Sequence, residues 1–389
     1  MGMMSGTPQS VQVSLAERQY DVVIGAGLYA SIGDRIRSVL PSDSASRAFV
    51  VIDHNVPTAA VESCIESLNG AGFQITRHVC VAAEDEKSVQ VATTLLQSIA
   101  ASGHERQDPV ISIGGGIIGD VAGFMASTYR RGVPFIQCPT TLLAMVDASV
   151  GGKTAVNLEV NGALLKNMVG TFWQPRLVAA DVSLLRSLPD RELRAGVAEC
   201  LKHGVIDPGD LFAWTLANLP RVHCRDEECL ADLVAKNVAV KARIVEADER
   251  EEAHDGPHQR AFLNLGHTFA HAIETIRGLS PDGDPANAPL LHGEAVALGL
   301  IAATTTASAL NLVDADRVDS IRAAVAQAGL PTAIAGLPDS PEIMARMSHD
   351  KKVEGGRLRL VLPTNSGVTV TDQVSKEAIG AGINAIRAD

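Results

Sequence analysis

Pro109-Val-Ile-Ser-Ile-Gly-Gly-Gly-Ile-Ile-Gly-Asp120 carries a short apolar run straight into a glycine cluster and out into a helical pattern. An apolar run of this length bounded by glycine reads as a strand buried on both faces. The glycines after it supply a tight strand-to-helix turn. Taken literally, Gly114, Gly116 and Gly119 also satisfy G-x-G-x-x-G, whose backbone amides would hold a pyrophosphate at the positive end of the helix. That fingerprint belongs to a first strand and is followed by an acid about 20 residues later. Here the glycines come late and the strand-end acid, Asp53, comes before them. Glycines serving only the turn are the competing reading.

The same strand-then-helix rhythm fills the first 180 residues. Strands are expected at 11–15, 20–24, 48–52, 74–79, 109–113, 134–138 and 177–180, with helices near 28–39, 56–71, 87–102 and 118–129. Alternation of this kind predicts an α/β, Rossmann-like, mostly parallel sheet with helices on both faces. Ligands in such folds bind beyond the carboxyl ends of the strands. Asp53, Gly114–Gly116 and Pro139–Thr141 each follow a strand and should share that edge. From about residue 184 helical patterns dominate, at 190–206, 227–249, 260–276, 292–311, 314–329 and 340–349. A late strand pair (358–362, 368–371) and a terminal helix (375–387) follow. The expected domains are therefore 1–183, α/β, and 184–389, mainly α-helical.

Composition narrows the function classes. A chain of 389 residues, 46% hydrophobic and 20% charged, suits two globular domains. Its net charge of −12 argues against a nucleic-acid surface. No apolar run reaches the roughly 18–20 residues a membrane span needs. The N-terminal residues 1–10 lack a basic-then-apolar targeting pattern. Six cysteines at scattered positions, without a C-x-x-C pair, read as reduced thiols in a cytoplasmic protein.

A second loop, Asp147-Ala-Ser-Val-Gly-Gly-Lys-Thr-Ala-Val-Asn157, invites a triphosphate-binding reading through its Gly-Gly-Lys-Thr. The P-loop needs a glycine five residues before the second one, and that position is Asp147, whose charge would repel phosphate. The loop therefore offers a carboxylate, a two-glycine bend, the Lys153 ammonium and a carboxamide for some other ligand.

In the second half, His267 and His271 lie four apart in Asn264-Leu-Gly-His-Thr-Phe-Ala-His271, so they share one helix face. His292 opens another helix in Leu291-His-Gly-Glu294. Glu199 lies in Gly196-Val-Ala-Glu-Cys-Leu-Lys202, with Lys202 one turn on. One carboxylate and two imidazoles are a familiar ligand set for a catalytic zinc. Spacing leaves open which of these four groups bind. Basic residues recur nearby: Arg131, Lys153, Lys166, Lys202, Lys241, Arg260, Lys351 and Lys352. Most lysines of such a set are solvated surface charges. Lys241, however, lies inside an apolar helix face, and Arg260 stands one turn before Asn264 and two before His267, facing the same way. Cations converging in an acidic protein imply a substrate with more than one negative group.

Together these residues resemble the 3-dehydroquinate synthase family of sugar phosphate cyclases. The resemblance runs from Glu84-Asp-Glu-Lys87 through Gly114–Asp120, Tyr129-Arg-Arg-Gly132, Pro139-Thr-Thr-Leu-Leu143 and the Asp147–Asn157 loop. It continues through Lys166-Asn167, Glu199–Lys202, Lys241, Arg260–Glu274, Leu291–Glu294 and Asp350-Lys-Lys352. It implies a dehydroquinate synthase-like fold, with an NAD-binding domain, a helical metal-binding domain and an active site in the cleft between them. By this resemblance Glu199, His267 and His292 would hold Zn²⁺ or Co²⁺. NAD would contact Asp53, Glu84, Lys87, Gly115, Gly116, Ile117, Ile118, Gly119, Asp120, Thr140, Thr141 and Lys166. The substrate phosphate would meet Lys153, Asn167, His271 and one or both of Lys351 and Lys352, and also Arg131 of a second subunit, which implies a homodimer. Lys241 and Arg260 would grip a carboxylate, and Asp147, Lys202 and Asn264 would hold hydroxyls.

The implied reaction turns 3-deoxy-arabino-heptulosonate 7-phosphate, a small sugar phosphate, into 3-dehydroquinate and phosphate, with NAD regenerated in each turnover. It is an early step of the shikimate pathway towards aromatic amino acids. Leu165 stands where the family carries glycine. The 157–166 and 250–260 loops are longer than the family pattern by about four and five residues, as surface loops tolerate. The rivals are cyclases of the amino-dehydroquinate or valiolone type, and a metal-dependent alcohol or glycerol dehydrogenase of the same architecture. A valiolone-type cyclase or a dehydrogenase has no need of the carboxylate-binding pair Lys241 and Arg260.

Overall fold

The structure is a computed structural model and describes residues 7–16, 18–41, 44–160, 163–253, 256, 258–348, 353–354 and 357–388. Contacts divide it into two units: Met1–Pro189 with Arg225–Arg250, and Asp190–Cys224 with Glu251–Asp389.

The first unit is built on β1 (Gln9–Val13), β2 (Tyr20–Gly25), β3 (Arg47–Asp53), β4 (Gln74–Cys80), β5 (Val110–Gly114), β6 (Phe135–Pro139) and β9 (Leu177–Asp181). They form one sheet in the order β1-β2-β9-β6-β5-β3-β4, with only β1 antiparallel to its neighbour. Side-chain alternation along the strands sorts the core into two layers. Val50 and Ile52 of β3 pack with α1 (Ile32–Val39) and α2 (Thr58–Gly70), whereas Phe49 and Val51 pack with α3 (Val89–Ala101) and α4 (Gly116–Thr128). Both faces are covered, which is why these strands read as continuous apolar runs.

The chain leaves β3 in one direction towards β4 and leaves β5 in the other towards β6. The strand order therefore reverses between β3 and β5, and a ligand crevice is expected at their carboxyl ends. Asp53 ends β3 and Gly114 ends β5, and a Cβ at Gly114 would lie 2.9 Å from that of Asp53.

Two features of this unit differ from expectation. Residues 153–172 form an antiparallel hairpin of β7 (Lys153–Val160) and β8 (Ala163–Phe172). Leu158, Leu164 and Leu165 on this hairpin are exposed. The helix α7 (Glu227–Ala247), which helical texture placed with the second half, packs instead on β1 and β2. Asp232 accepts from Gln9 at 2.7 Å, and Glu246 accepts the Ser14 amide at 2.6 Å.

The second unit contains α5 (Asp190–Ile206), α6 (Leu211–His223), α8 (His267–Glu274), α9 (His292–Ala309), α10 (Ala315–Gln327), α11 (Ser340–Ser348) and α12 (Lys376–Ala385). A two-stranded pair, β10 (Val353–Glu354) and β11 (Arg357–Leu358), precedes the hairpin of β12 (Leu360–Thr364) and β13 (Gly367–Thr371). Helix α9 is largely apolar and mostly buried, among α5, α8, α10, α12 and β12. The stretch 260–276, expected as one helix, is broken. A 3-10 turn Arg260–Asn264 gives way to α8 at Gly266, whose φ of +76° suits glycine. Arg260 and Asn264 therefore do not continue the helix face that carries His267. Helix α6 is a further element the sequence pattern did not call for. Among the described residues no helix is long and apolar enough to cross a membrane, and all six cysteines are unbridged.

Candidate active site

At the sheet edge of the first unit, Gly115 caps α4 and Gly116–Asp120 form its opening turns, so the helix amides end beside the β3–β5 crevice. Asp53 is buried and accepts the Asn55 amide at 2.9 Å. Thr140, just past β6, is buried and donates its amide to Gly114 O, while the Thr141 hydroxyl caps the turn at Ala144. Lys87, itself buried, places Nζ 2.5 Å from both Asp120 Oδ2 and Asn167 Oδ1. Burial pushes the Asp120 carboxyl up, against the opposing pull of the Lys87 ammonium.

Asn157 ties this group together. Its Nδ2 donates to Glu84 O and Oε1, its Oδ1 accepts the Asn167 amide, and its own amide donates to Lys87 O. Lys166 lies 3.8 Å from Glu84 on the same hairpin, with Asn167 held at φ +54°. Asp147 is engaged by Lys241, whose Nζ lies 2.5 Å from its carbonyl and 2.7 Å from Oδ1. Lys153 is exposed at the start of β7. Arg131 stands apart from this cluster, in a turn where both Arg130 and Arg131 have positive φ.

The second unit brings a different set together. Glu199 and Lys202 are adjacent on α5, both essentially removed from water, with Nζ 2.5 Å from Oε2. Glu199 Oε1 lies 3.4 Å from His292 Nε2 and 3.7 Å from His267 Nε2. The donor atoms of these three residues all lie within 4.8 Å of one another. The approach depends on Gly293, because a Cβ there would come within 1.9 Å of the Ala195 carbonyl, so only glycine lets α9 enter beside α5. Burial, then the Lys202 ammonium, push the His267 imidazole well below its ordinary value, which leaves it a neutral lone-pair donor. Burial pushes His292 down too, but the Glu274 and Glu199 carboxylates outweigh it and hold it up at about 10. A pocket that draws positive charge to a buried carboxylate and two imidazoles fits a small divalent cation.

His271 stacks edge-on to His267, with ring centroids 5.4 Å apart. Asn264 donates to Glu251 at 2.8 Å, and Arg260 is among the largest fully buried side chains. Lys351 and Lys352 lie outside the described residues.

Comparison with known proteins places this geometry. Residues 77–195 match the family described as 3-dehydroquinate synthase N-terminal, and residues 196–353 match 3-dehydroquinate synthase C-terminal. A 3-dehydroquinate synthase of Caulobacter vibrioides is 39% identical over 378 residues, covering 96% of this chain and 97% of that protein. The chain belongs to the 3-dehydroquinate synthase family.

Among solved structures, a 2-deoxy-scyllo-inosose synthase complexed with carbaglucose-6-phosphate, NAD⁺ and Co²⁺ superposes with a TM-score of 0.81. It is 26% identical and covers 96% of this chain and 99% of that one. The 2-epi-5-epi-valiolone synthase of Streptomyces hygroscopicus, with NAD⁺ and Zn²⁺ bound, gives 0.80 at 26% identity, covering 96% and 98%. Against this family background, sequence reading passed over three residues that the structure puts beside candidates. Asn157 closed the quoted loop as a carboxamide for an unnamed ligand, without the structural role it has here between Glu84 and Asn167. Glu251 sits in a loop where no local pattern marks it. Glu274 lies seven residues after His267, a helical spacing that was legible.

Proposed function

We propose that this chain is a 3-dehydroquinate synthase, a carbon–oxygen lyase that converts 3-deoxy-D-arabino-heptulosonate 7-phosphate to 3-dehydroquinate and phosphate. The convergence of Glu199, His267 and His292 on one point, in a chain of this family, carries the reading.

Bound NAD supplies a reversible hydride acceptor, and a Zn²⁺ or Co²⁺ ion supplies Lewis acidity towards substrate hydroxyls. Glu199, His267 and His292 are assigned to the metal. Asp53, Glu84, Lys87, Gly115–Asp120, Thr140, Thr141 and Lys166 are assigned to NAD. The amides opening α4 suit its pyrophosphate, and the Lys87–Asp120 pair fixes the flank of that turn. Lys153, Asn167, Lys351, Lys352 and His271 are assigned to the substrate phosphate, where cations stabilise the departing charge. Lys241 and Arg260 are assigned to the carboxylate, with Asp147, Lys202 and Asn264 at the hydroxyls. The Lys241–Asp147 pair means that a substrate carboxylate competes with Asp147 for the same ammonium. Arg131 is assigned to the phosphate site of a second subunit in a cytoplasmic homodimer, and the pathway is that of shikimate and chorismate.

Incubation of the purified chain with the heptulosonate phosphate, catalytic NAD⁺ and Zn²⁺ tests this. Stoichiometric phosphate release without accumulating NADH is expected. Stoichiometric NADH would identify a net dehydrogenase instead.

A further inference from the structure

Glu274 is the last residue of α8, seven positions after His267 and therefore on the same helical stripe. Its side chain is 5% exposed, and its Oε2 lies 2.9 Å from His292 Nδ1. A carboxylate at that distance accepts a hydrogen bond from the ring N–H, so in a neutral imidazole the Nδ1 proton faces Glu274 and Nε2 keeps its lone pair. With a cation in place of the second ring proton, that Nε2 would present its lone pair beside Glu199 Oε1, 3.4 Å away, and beside the His267 ring, whose centroid is 5.3 Å off. Electron pairs of three groups turned towards one point are reconciled by a cation there. The Glu274 contact is thus the part of the arrangement that decides which way His292 faces.

We infer that Glu274 is a positioning residue for the metal centre, holding His292 as the Nδ1–H tautomer with Nε2 presented alongside Glu199 and His267. The inference rests on the metal reading above and adds a determinant of metal affinity outside the three ligands. Carboxylate-to-histidine contacts of this kind orient the ring and raise its basicity, and their loss typically weakens metal binding 10–100-fold. His271, Glu274 and His292 also bring donor atoms within 4.8 Å of one another, which is the geometry of a second cation site. The two readings exclude each other at one atom, because Nδ1 cannot both donate to Glu274 and coordinate an ion.

Zn²⁺ competition against a chromophoric chelator, on the full chain stripped of metal, tests the inference. The wild type is compared with Glu274→Gln and Glu274→Ala, and His267→Ala serves as a ligand-loss control. One equivalent of Zn²⁺ is expected in the wild type, with Kd raised roughly 10–100-fold in Glu274→Ala. Glu274→Gln should lose less, since its amide oxygen still accepts from Nδ1–H. The metal-free melting temperature of Glu274→Gln should match that of the wild type, a result that separates positioning from simple support of the fold. Unchanged Zn²⁺ affinity in both variants overturns the inference alone. Two equivalents in the wild type falling to one in Glu274→Gln also overturns it, in favour of a second cation site. A wild type that binds no Zn²⁺ overturns the metal reading together with this one.

Discussion

Lys202 holds its ammonium 2.5 Å from the Glu199 carboxylate, one helical turn away, with 1% and 0% of the two side chains exposed. Removing one partner of a buried ion pair costs about 3–5 kcal/mol, and the lower end applies here because His292, 3.4 Å away, still faces the carboxylate. Lys202→Met keeps the volume and removes the charge, so the metal-free protein should lose about that much stability in urea unfolding. Zn²⁺ should restore part of the loss, because it supplies positive charge to the same carboxylate. A loss below about 1 kcal/mol, the range of a solvent-screened pair, would show that Glu199 is not held by Lys202.

Tyr29 gives the fold an alkaline limit. Its hydroxyl donates to Cys138 O at 3.0 Å, and burial, followed by Cys138, Cys64 and Asp181 nearby, pushes the phenol well above its ordinary value. The folded state therefore holds the proton more tightly than the unfolded chain, whose phenol titrates near pH 10. Stability from this group is complete below about pH 10 and is lost as pH rises above it. Tyr29→Phe should move the alkaline unfolding midpoint, followed by circular dichroism, to higher pH. At neutral pH it should cost about 0.5–1.5 kcal/mol for the lost hydrogen bond.

If Arg260, 1% exposed, grips the substrate carboxylate as proposed, it should separate carboxylate-bearing substrates from their carboxylate-free analogues. Arg260→Lys keeps the charge but loses the planar fork that matches a carboxylate. A charge-assisted bond is worth about 1.5–3 kcal/mol, so kcat/KM for the heptulosonate phosphate should fall roughly 10–100-fold. A cyclase substrate lacking the carboxylate should be turned over no worse by the variant than by the wild type. Equal loss on both substrates would remove Arg260 from carboxylate recognition.

The fold was legible wherever local pattern and burial agree. β3, β5 and β6 are covered on both faces, so their apolar runs stand out, and α5 spans the residues its pattern marks. The β7–β8 hairpin was not legible, because Leu158, Leu164 and Leu165 face solvent and give no clean alternation. The placement of α7 was hidden for another reason. Its apolar stripe shows that it packs, and only tertiary contact shows that it packs on β1 and β2. In the second unit the residue types around Glu199 announced a metal chemistry. The break at Gly266, by contrast, depends on a backbone φ that helical spacing of Arg260 and His267 cannot reveal.

Arg131 tests the proposed homodimer. It follows Arg130 in the left-handed region, φ 65° after 49°, a conformation that costs roughly 1–2 kcal/mol per non-glycine residue. It lines a cleft of about 420 Å³ with Arg18, Arg106 and Arg176, in a protein of net charge −12. If each active site takes Arg131 from its partner, Arg131→Ala and His267→Ala chains should each be nearly inactive alone. A heterodimer of the two would contain one site with the metal ligands of the first chain and the Arg131 of the second. Unfolding and refolding an equimolar mixture gives half heterodimers, each with one intact site, so about a quarter of wild-type activity should return. A mixture no more active than the separate variants, with heterodimers verified by differential tagging, would place Arg131 in the service of its own subunit.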